Sequence, residues 1–398
     1  MKAAIIGGKL QGLEAVYLAE KAGWDVTVID AVPNPPASGL CHQFLHKDIT
    51  TQTHIEKLLQ PFDLVIPALE NVKTLTCLQN YARLHKTPVL FDFNAYAVTS
   101  SKIESDKLLA AIHIPTPVHY PDCDFPVIVK PSTGSGSKGV RVIHDLKQLD
   151  SHLEVVSGEQ VIQKVVQGPS YSLEIIGTPG NYIPLQVTEL EMDPVYDCKR
   201  VTAPVGLSHK RIKQFEKIST IIAQTLALKG IMDIEVILEN DVLRVLEIDA
   251  RFPSQTPITV HASTGVNMLQ LLAAPHLLSA EQAFEATQSQ RGVIFEHIQV
   301  MGRELTVTGE HAMALVGPLR LVNDFFGADE AITNQSDNHT NWVATLIICA
   351  ENRTMAWERR ETVIADIMRF FGLSTYGDHT PEIHQTHEPF QKLKGSIT

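Results

Sequence analysis

Residues 231–253 read IMDIEVILENDVLRVLEIDARFP. Two alternating runs, Asp233 to Leu238 and Leu243 to Asp249, flank the polar break Glu239-Asn240-Asp241. Side chains on a strand alternate faces with period two, so the pattern spells a β-hairpin. A three-residue loop centred on Asp241 sets Glu235 opposite Glu247 and Asp233 opposite Asp249, all on one face. A two-residue turn at Asn240-Asp241 would bring Glu235 against Leu246 and break the apolar side. The three-residue loop is therefore expected, because register follows the buried face.

Four like charges on one face of a short apolar hairpin repel one another, and holding them together is costly unless a cation joins them. The set offers oxygen ligands only, with no His or Cys. Such a set suits a hard ion, Mg²⁺ first, of the kind that bridges to phosphates. Arg251 continues the same face two residues beyond Asp249, where it suits an anion beside the metal. A solvated hairpin with a polar outer side accounts for this stretch equally well. The rest of the chain has to decide.

The 398 residues leave room for two or three domains and a substantial core, and 44% hydrophobic with 20% charged residues is ordinary for a soluble globular protein. A net charge of −12 argues against a nucleic-acid surface as the main business. Cys41, Cys77, Cys123, Cys198 and Cys349 form no Cys-x-x-Cys pair, so neither a zinc site nor a disulfide framework is indicated, and a reducing cytoplasm fits. No apolar run reaches membrane-spanning length, and MKAAIIGG reads as a strand entering a glycine turn rather than a signal peptide. No nucleic-acid or membrane partner is expected.

Lys2 to Gly12 reads as strand, glycine turn and helix start, and the helix Leu13 to Ala22 ends at Gly23. A second strand, Trp24 to Asp30, closes a βαβ unit on an acidic residue, as in a dinucleotide fold. The fingerprint is imperfect: the glycines stand as Gly7-Gly8-x-x-x-Gly12, and Pro33, Pro35 and Pro36 follow Asp30 at once. Thr53 to Leu59, Asp63 to Pro67 and Pro88 to Asp92 continue a parallel α/β pattern. An NAD-binding oxidoreductase and a scaffold without that cofactor both fit, since tight β-to-α turns need glycine whatever the ligand. Glu70 and Asn71 follow a strand end, where a substrate would meet this domain.

A helix begins after Ser100-Ser101, with serine as N-cap and Lys102 at its start. Phe125 to Pro131 and Val140 to Ile143 are strands joined by the loop STGSGSKG, residues 132–139. This is no Walker A motif, because neither a Lys-Ser/Thr pair nor a helix follows Gly139. Its N–H groups and Lys138 nevertheless suit a flap over phosphates, while a plain hairpin would use the same residues. Lys130 lies in an otherwise apolar strand, where a buried ammonium needs an anion, unless the strand is at the sheet edge. Gln160 to Val166 reads as a further strand, and Lys210 to Leu228 as an amphipathic helix closed by Lys229-Gly230.

Taken together, Val129-Lys130-Pro131 with its Gly-Ser loop, Gln163 to Gly168, and Leu246-Glu247-Ile248-Asp249-Ala250-Arg251 resemble the ATP-grasp carboxylate–amine ligases, over essentially the whole chain. The resemblance implies an ATP-grasp fold of mixed α/β and α+β character. A Rossmann-like pre-ATP-grasp domain would occupy 1–95, an ATP-grasp domain 96–290 with a flap subdomain at about 113–167, and a small C-terminal α+β domain 291–398. It implies ATP and Mg²⁺ as cofactors and small amino acids as substrates. ATP would be held by Lys102, Lys130, the flap residues Ser135, Gly136, Ser137 and Gly139, the adenine edge Gln163, Lys164 and Val165, and Ser170. Magnesium falls to Glu235, Glu247 and Asp249, with Asp233 beside them. Lys199 or Arg200 would stand near the γ-phosphate, and Arg251 would face the oxyanion. Gln163 stands where the family has a glutamate, Ser170 where it has a ribose-binding carboxylate, and Asp249 where asparagine is commoner.

The activity implied is activation of a carboxylate as an acyl phosphate and its capture by an amine; an ATP-grasp carboxylase is the alternative, and the oxidoreductase a lower one. Ser254 and Thr256, with Glu70 and Asn71, are the substrate candidates. Glu70, Glu189, Glu191, Asp193 and Asp197 are the spare acids for substrate ammonium groups, each more readily explained as surface. Strands are expected at Gly292 to Val300 and Trp342 to Cys349, then a helix Trp357 to Phe371 and a polar end in which His379, His384 and His387 are solvated.

Overall fold

The computed structural model describes residues 1–52, 54–134, 136–276, 290–336 and 340–381. Ser135, Thr53, His384 and His387 lie outside the described residues.

The N-terminal sheet is parallel, in the order Gln43–His46, Asp25–Asp30, Lys2–Ile6, Leu64–Pro67. Val89 adds a single bridge to Val65 in place of the expected strand at 88–92. Its first helix spans Leu10–Lys21. The glycine turn is closed against its own chain. A Cβ on Gly12 would sit 2.1 Å from the Gly7 carbonyl oxygen, and one on Gly8 2.5 Å from Pro35 Cγ. The Asp30 carboxylate accepts the Gly8 N–H at 2.6 Å. These contacts account for the glycines and the acid without a dinucleotide.

A three-stranded antiparallel sheet places Val127–Pro131 between Arg141–Ile143 and Gln160–Lys164. Lys130 is therefore on a central strand. The remaining strands form one 12-stranded sheet. Val242–Asp249 is at one edge, followed by Gly230–Glu239, Ser170–Thr178, Thr188–Met192, Cys198–Ala203, Gly292–Met301, Trp342–Ala350, Ala328–Thr333 and Arg320–Phe325. Cys198–Ala203 pairs with Gly292–Met301, so the C-terminal segment extends the same sheet. The helix Arg353–Phe371 ends on Gly372 in the left-handed region, and Thr375–Asp378, expected as polar tail, adds a parallel strand to Glu304–Val307.

The hairpin at 230–249 keeps the expected pairs but reaches them differently. Glu235 faces Glu247 and Asp233 faces Asp249, yet Glu239 pairs with Val242, so the turn has two residues. Asn240 and Asp241 both adopt positive φ, 48° and 67°, as a type I′ turn requires. The extra residue is Leu246, a bulge that shifts the register between Val236 and Glu235. The bulge restores the alternation that a bare two-residue turn would have broken. Ile234, Val236, Leu243, Val245 and Ile248 are buried against Phe215, Ile218 and Ile222 of the helix His209–Thr225. Each such side chain contributes roughly 1.5–3 kcal/mol on burial, which ties the acids to the opposite face.

Candidate active site

The acids form a grid across three strands. Asp233 lies between Asp249 and Glu174, and Glu235 between Glu247 and Ser172. Burial drives four of these acids toward the neutral form: Asp249 is pushed up to about 7, Asp233 to about 6 and Glu174 to about 8, and Glu235 is raised well above its usual value. Asp249 Oδ1 and Glu174 Oε2 are buried with no hydrogen-bond partner. Orphaned carboxylate oxygens beside further carboxylates are what a hard divalent cation would neutralise, so the donor set fits Mg²⁺.

Two lysines close on this grid. Lys102, at the start of the helix Lys102–Ala111 capped by Ser101, donates to Glu247 Oε1 at 2.7 Å and to the Gly134 carbonyl at 2.9 Å. Lys130 comes from the three-stranded sheet, and its Nζ reaches the Leu246 carbonyl at 3.2 Å. Burial lowers the Lys130 pKa against the pull of Glu247, leaving a desolvated ammonium bonded to one carbonyl among the described residues. Both lysines line a cleft between that sheet and the acidic hairpin, together with Gly136, Ser137, Gln163 and Ser170. The loop is hooked in place: Lys102 N–H donates to Ser132 O at 2.7 Å and Ser137 Oγ to Tyr196 O at 2.5 Å.

Other expectations are corrected. Gly139 does not line the cleft; its φ of +80° carries the chain past Pro131, whose Cγ would lie 3.0 Å from an added Cβ. Lys164 and Val165 line the cleft, but their backbone N–H groups already donate to Val118 O and Pro126 O. The Lys164 ammonium holds Glu239 at 3.0 Å. Val166, unanticipated, lines the cleft beside them.

Lys199 and Arg200 do not join the phosphate cleft. Lys199 is 1% exposed and bonds Asp378 and the His379 carbonyl; Arg200 is 2% exposed and bonds Glu191, Glu296 and Asp378. Arg360 and Trp357 complete this buried network. Burial opposes the Asp378 charge, but Arg200 and Lys199 outweigh it and hold the carboxyl well below its usual range. Two cations already compensated in the interior have no charge left for a γ-phosphate.

Arg251 is clamped: Nε lies 2.6 Å from Asp249 Oδ2 and 2.7 Å from Glu70 Oε1. Burial works against its charge, yet Asp249 and Glu70 more than offset that and keep the guanidinium protonated. Glu70 also accepts from Gln11 Nε2 at 3.0 Å, so the N-terminal sheet's loops reach the site through the arginine. Asn71 caps the helix Val72–Leu84, accepting the Thr74 N–H at 3.0 Å, and that task accounts for it. Ser254 lies beside Glu310, and Thr256, whose buried Oγ1 has no hydrogen-bond partner among the described residues, lies beside Glu174. The proposed ammonium acids are also engaged: Glu189 with Arg353, Glu191 with Arg200, and Asp193 and Asp197 with backbone N–H groups and His311.

Sequence reasoning missed Glu174, Glu14 and Glu310. Glu14 is buried and accepts the Ile258 N–H at 2.9 Å. Ser170, Ser172 and Glu174 alternate with apolar residues in one strand, which was the available signal for Glu174. Glu310 had none, because Gln255 meets it at 2.9 Å from 55 residues away.

An acidic hairpin, paired lysines and a glycine loop facing across one cleft define an ATP-grasp nucleotide site. Residues 99–255 match the ATP-grasp domain family model. The chain is 37% identical to the 3-methyl-D-ornithine–L-lysine ligase of Methanosarcina mazei over 78% of its length and 81% of that protein. It is 34% identical to the Methanosarcina acetivorans enzyme of the same name, over 92% and 98%. Among solved structures, an ADP complex of N5-carboxyaminoimidazole ribonucleotide synthetase superposes with a TM-score of 0.69 at 16% identity, covering 92% of this chain and 97% of that one. An L-amino acid ligase from Bacillus licheniformis superposes at 0.67 and 18% identity, with the same coverage. The chain belongs to the ATP-grasp family of ligases. Among the described residues, no helix is long and apolar enough to cross a membrane.

Proposed function

We propose that this chain joins 3-methyl-D-ornithine to L-lysine in pyrrolysine biosynthesis at the expense of ATP, the substrates its Methanosarcina relatives carry in their name. A carboxylate oxygen of the first substrate attacks the γ-phosphorus, ADP leaves, and an acyl phosphate forms. The ε-amine of the second attacks the carbonyl carbon, phosphate leaves, and the amine gives up a proton to complete the amide. The observation that carries this reading is the row of Glu235, Glu247, Asp249 and Asp233 facing Lys102 and Lys130.

Lys130 and Lys102 supply positive charge to the transferring phosphoryl group. Glu235, Glu247 and Asp249 would hold Mg²⁺, which supplies Lewis-acid neutralisation of the β- and γ-phosphates. Arg251, held by Glu70 and Asp249, offers its remaining N–H groups to the oxyanion. The loop through Gly134 and Gly136 excludes water that would hydrolyse the acyl phosphate. Residues 1–95 and 291–398 serve in this reading as the domains that brace the ATP-grasp segment 96–290. The test is ADP release with each amino acid alone and with both, plus mass analysis of the product. Release that requires both amino acids and yields the amide supports the reading; bicarbonate dependence would point to a carboxylase instead.

A further inference from the structure

Lys102 and Glu247 stand far apart in the chain, yet the Lys102 Nζ donates to Glu247 Oε1 at 2.7 Å and to the Gly134 carbonyl at 2.9 Å. Their side chains are 13% and 33% exposed, so the ammonium is the less hydrated partner. The Lys102 backbone N–H donates to Ser132 O, which fixes the helix start beside the glycine loop. Lys130 lines the same cleft but bonds the Leu246 carbonyl and, among the described residues, no acid. Asp249 differs again: Arg251 takes Oδ2 at 2.6 Å, and Oδ1 is left without a partner. Of the three acids assigned to the metal, Glu247 is the one held by a cation that is also assigned to phosphate.

A divalent ion would approach the Glu247 carboxylate to about 2.1 Å and set two cations on one negative charge. Their repulsion favours a single occupant. A displaced Lys102 has little water around it and needs another anion, and a nucleotide phosphate is the anion this cleft would bring.

We infer that Lys102 is a built-in stand-in for the metal: it occupies Glu247 until a nucleotide phosphate draws it away, so that metal and nucleotide bind as a coupled pair. The coupling is reciprocal, since phosphate frees Glu247 for the ion and the ion frees Lys102 for phosphate. A chain loaded with metal alone would strand a desolvated ammonium, which disfavours that species. This inference rests on the proposed roles of Glu247 and Lys102 in the nucleotide site.

The probe is Mn²⁺, titrated into the full chain without nucleotide and read by loss of the free ion's paramagnetic resonance signal. Wild type, Lys102→Met, Glu247→Gln and the double variant form a cycle. Lys102→Met should raise Mn²⁺ affinity. Glu247→Gln should then weaken binding roughly fivefold to tenfold more in that background than in wild type, the scale of a modest coupling between sites. Lys130→Met removes the same charge from the cleft without a bond to Glu247, so its coupling to Glu247→Gln should be smaller. A folded Lys102→Met chain that binds Mn²⁺ no more tightly than wild type overturns the inference. Equal losses in both backgrounds also overturn it, because one carboxylate would then serve ammonium and metal through separate oxygens. Equal coupling from the two lysines overturns it as well, by showing that charge alone is at work. Circular dichroism checks the fold of each variant, and Lys102→Gln, which keeps a donor for the Gly134 carbonyl, replaces the methionine variant should that unfold. A cycle that shows the coupling, with no ADP released by the wild type from ATP and both amino acids, would instead defeat the proposed function.

Discussion

Glu247→Gln removes one charge from the acidic row and keeps the side chain's shape. In the metal-free protein Glu247 pairs with Lys102 at 2.7 Å, with side chains 33% and 13% exposed. A pair so open to solvent contributes at most ~1 kcal/mol. Against that loss stands relief at Glu235, whose carboxyl is raised by burial first and then by Asp233 and Glu247. The two effects oppose, so the thermal midpoint should move by less than about 3 °C. Activity should respond quite differently. If losing one charged ligand weakens phosphate neutralisation by about 4 kcal/mol, the rate falls roughly a thousandfold, at ~1.36 kcal/mol per factor of ten. The assay is ADP release with both amino acids and saturating Mg²⁺, run beside a circular-dichroism melt. A folded variant that keeps more than about a tenth of the activity would refute the metal assignment. A variant that unfolds would show that the lost ion pair outweighs the relief at Glu235.

Arg251→Met leaves Asp249 and Glu70 without their shared cation, so it should cost about 3–5 kcal/mol in urea unfolding, where a change under ~1 kcal/mol would contradict the clamp. Glu296→Gln strips the acid shared by Arg200 and Arg360 and should cost a similar ~3–5 kcal/mol while leaving kcat intact, since that network is remote from the cleft; loss of kcat at full stability would restore a catalytic role to Arg200. Metal-free stability should also depend on pH through the row. Asp233, Asp249 and Glu174 have folded pKa values raised to about 6, 7 and 8, so the folded state binds more protons than the unfolded one above pH ~4. Their contribution is complete below that pH and is lost as pH rises to about 8, so Mg²⁺ should raise the melting temperature more at pH 8 than at pH 5. An equal rise at both pH values would show that the ion binds elsewhere.

Much of the fold was legible because its signals are local. Alternation in 233–249 predicts which side chains share a face whatever the chain does elsewhere, and four acids on one face follow from it. The helix from Lys102 and the glycine loop were readable for the same reason: caps and turns are chosen by adjacent residues. The two-residue turn was missed because a bulge at Leu246 compensates for it, and nothing local distinguishes a bulge from a longer loop.

What the amino-acid order determined by itself, then, was the period of each strand, the caps and turns, and therefore the alignment of Asp233, Glu235, Glu247 and Asp249. What only the tertiary structure decided was where each charge finds its counter-charge. Lys199 and Arg200 looked free for phosphate until Asp378, 179 and 178 residues away, came to lie against them. Glu70 looked like a substrate ligand until Arg251 closed on it. Periodicity is a property of neighbouring residues, but an ion pair depends on which distant segments packing brings into one low-dielectric space, and no local pattern records that.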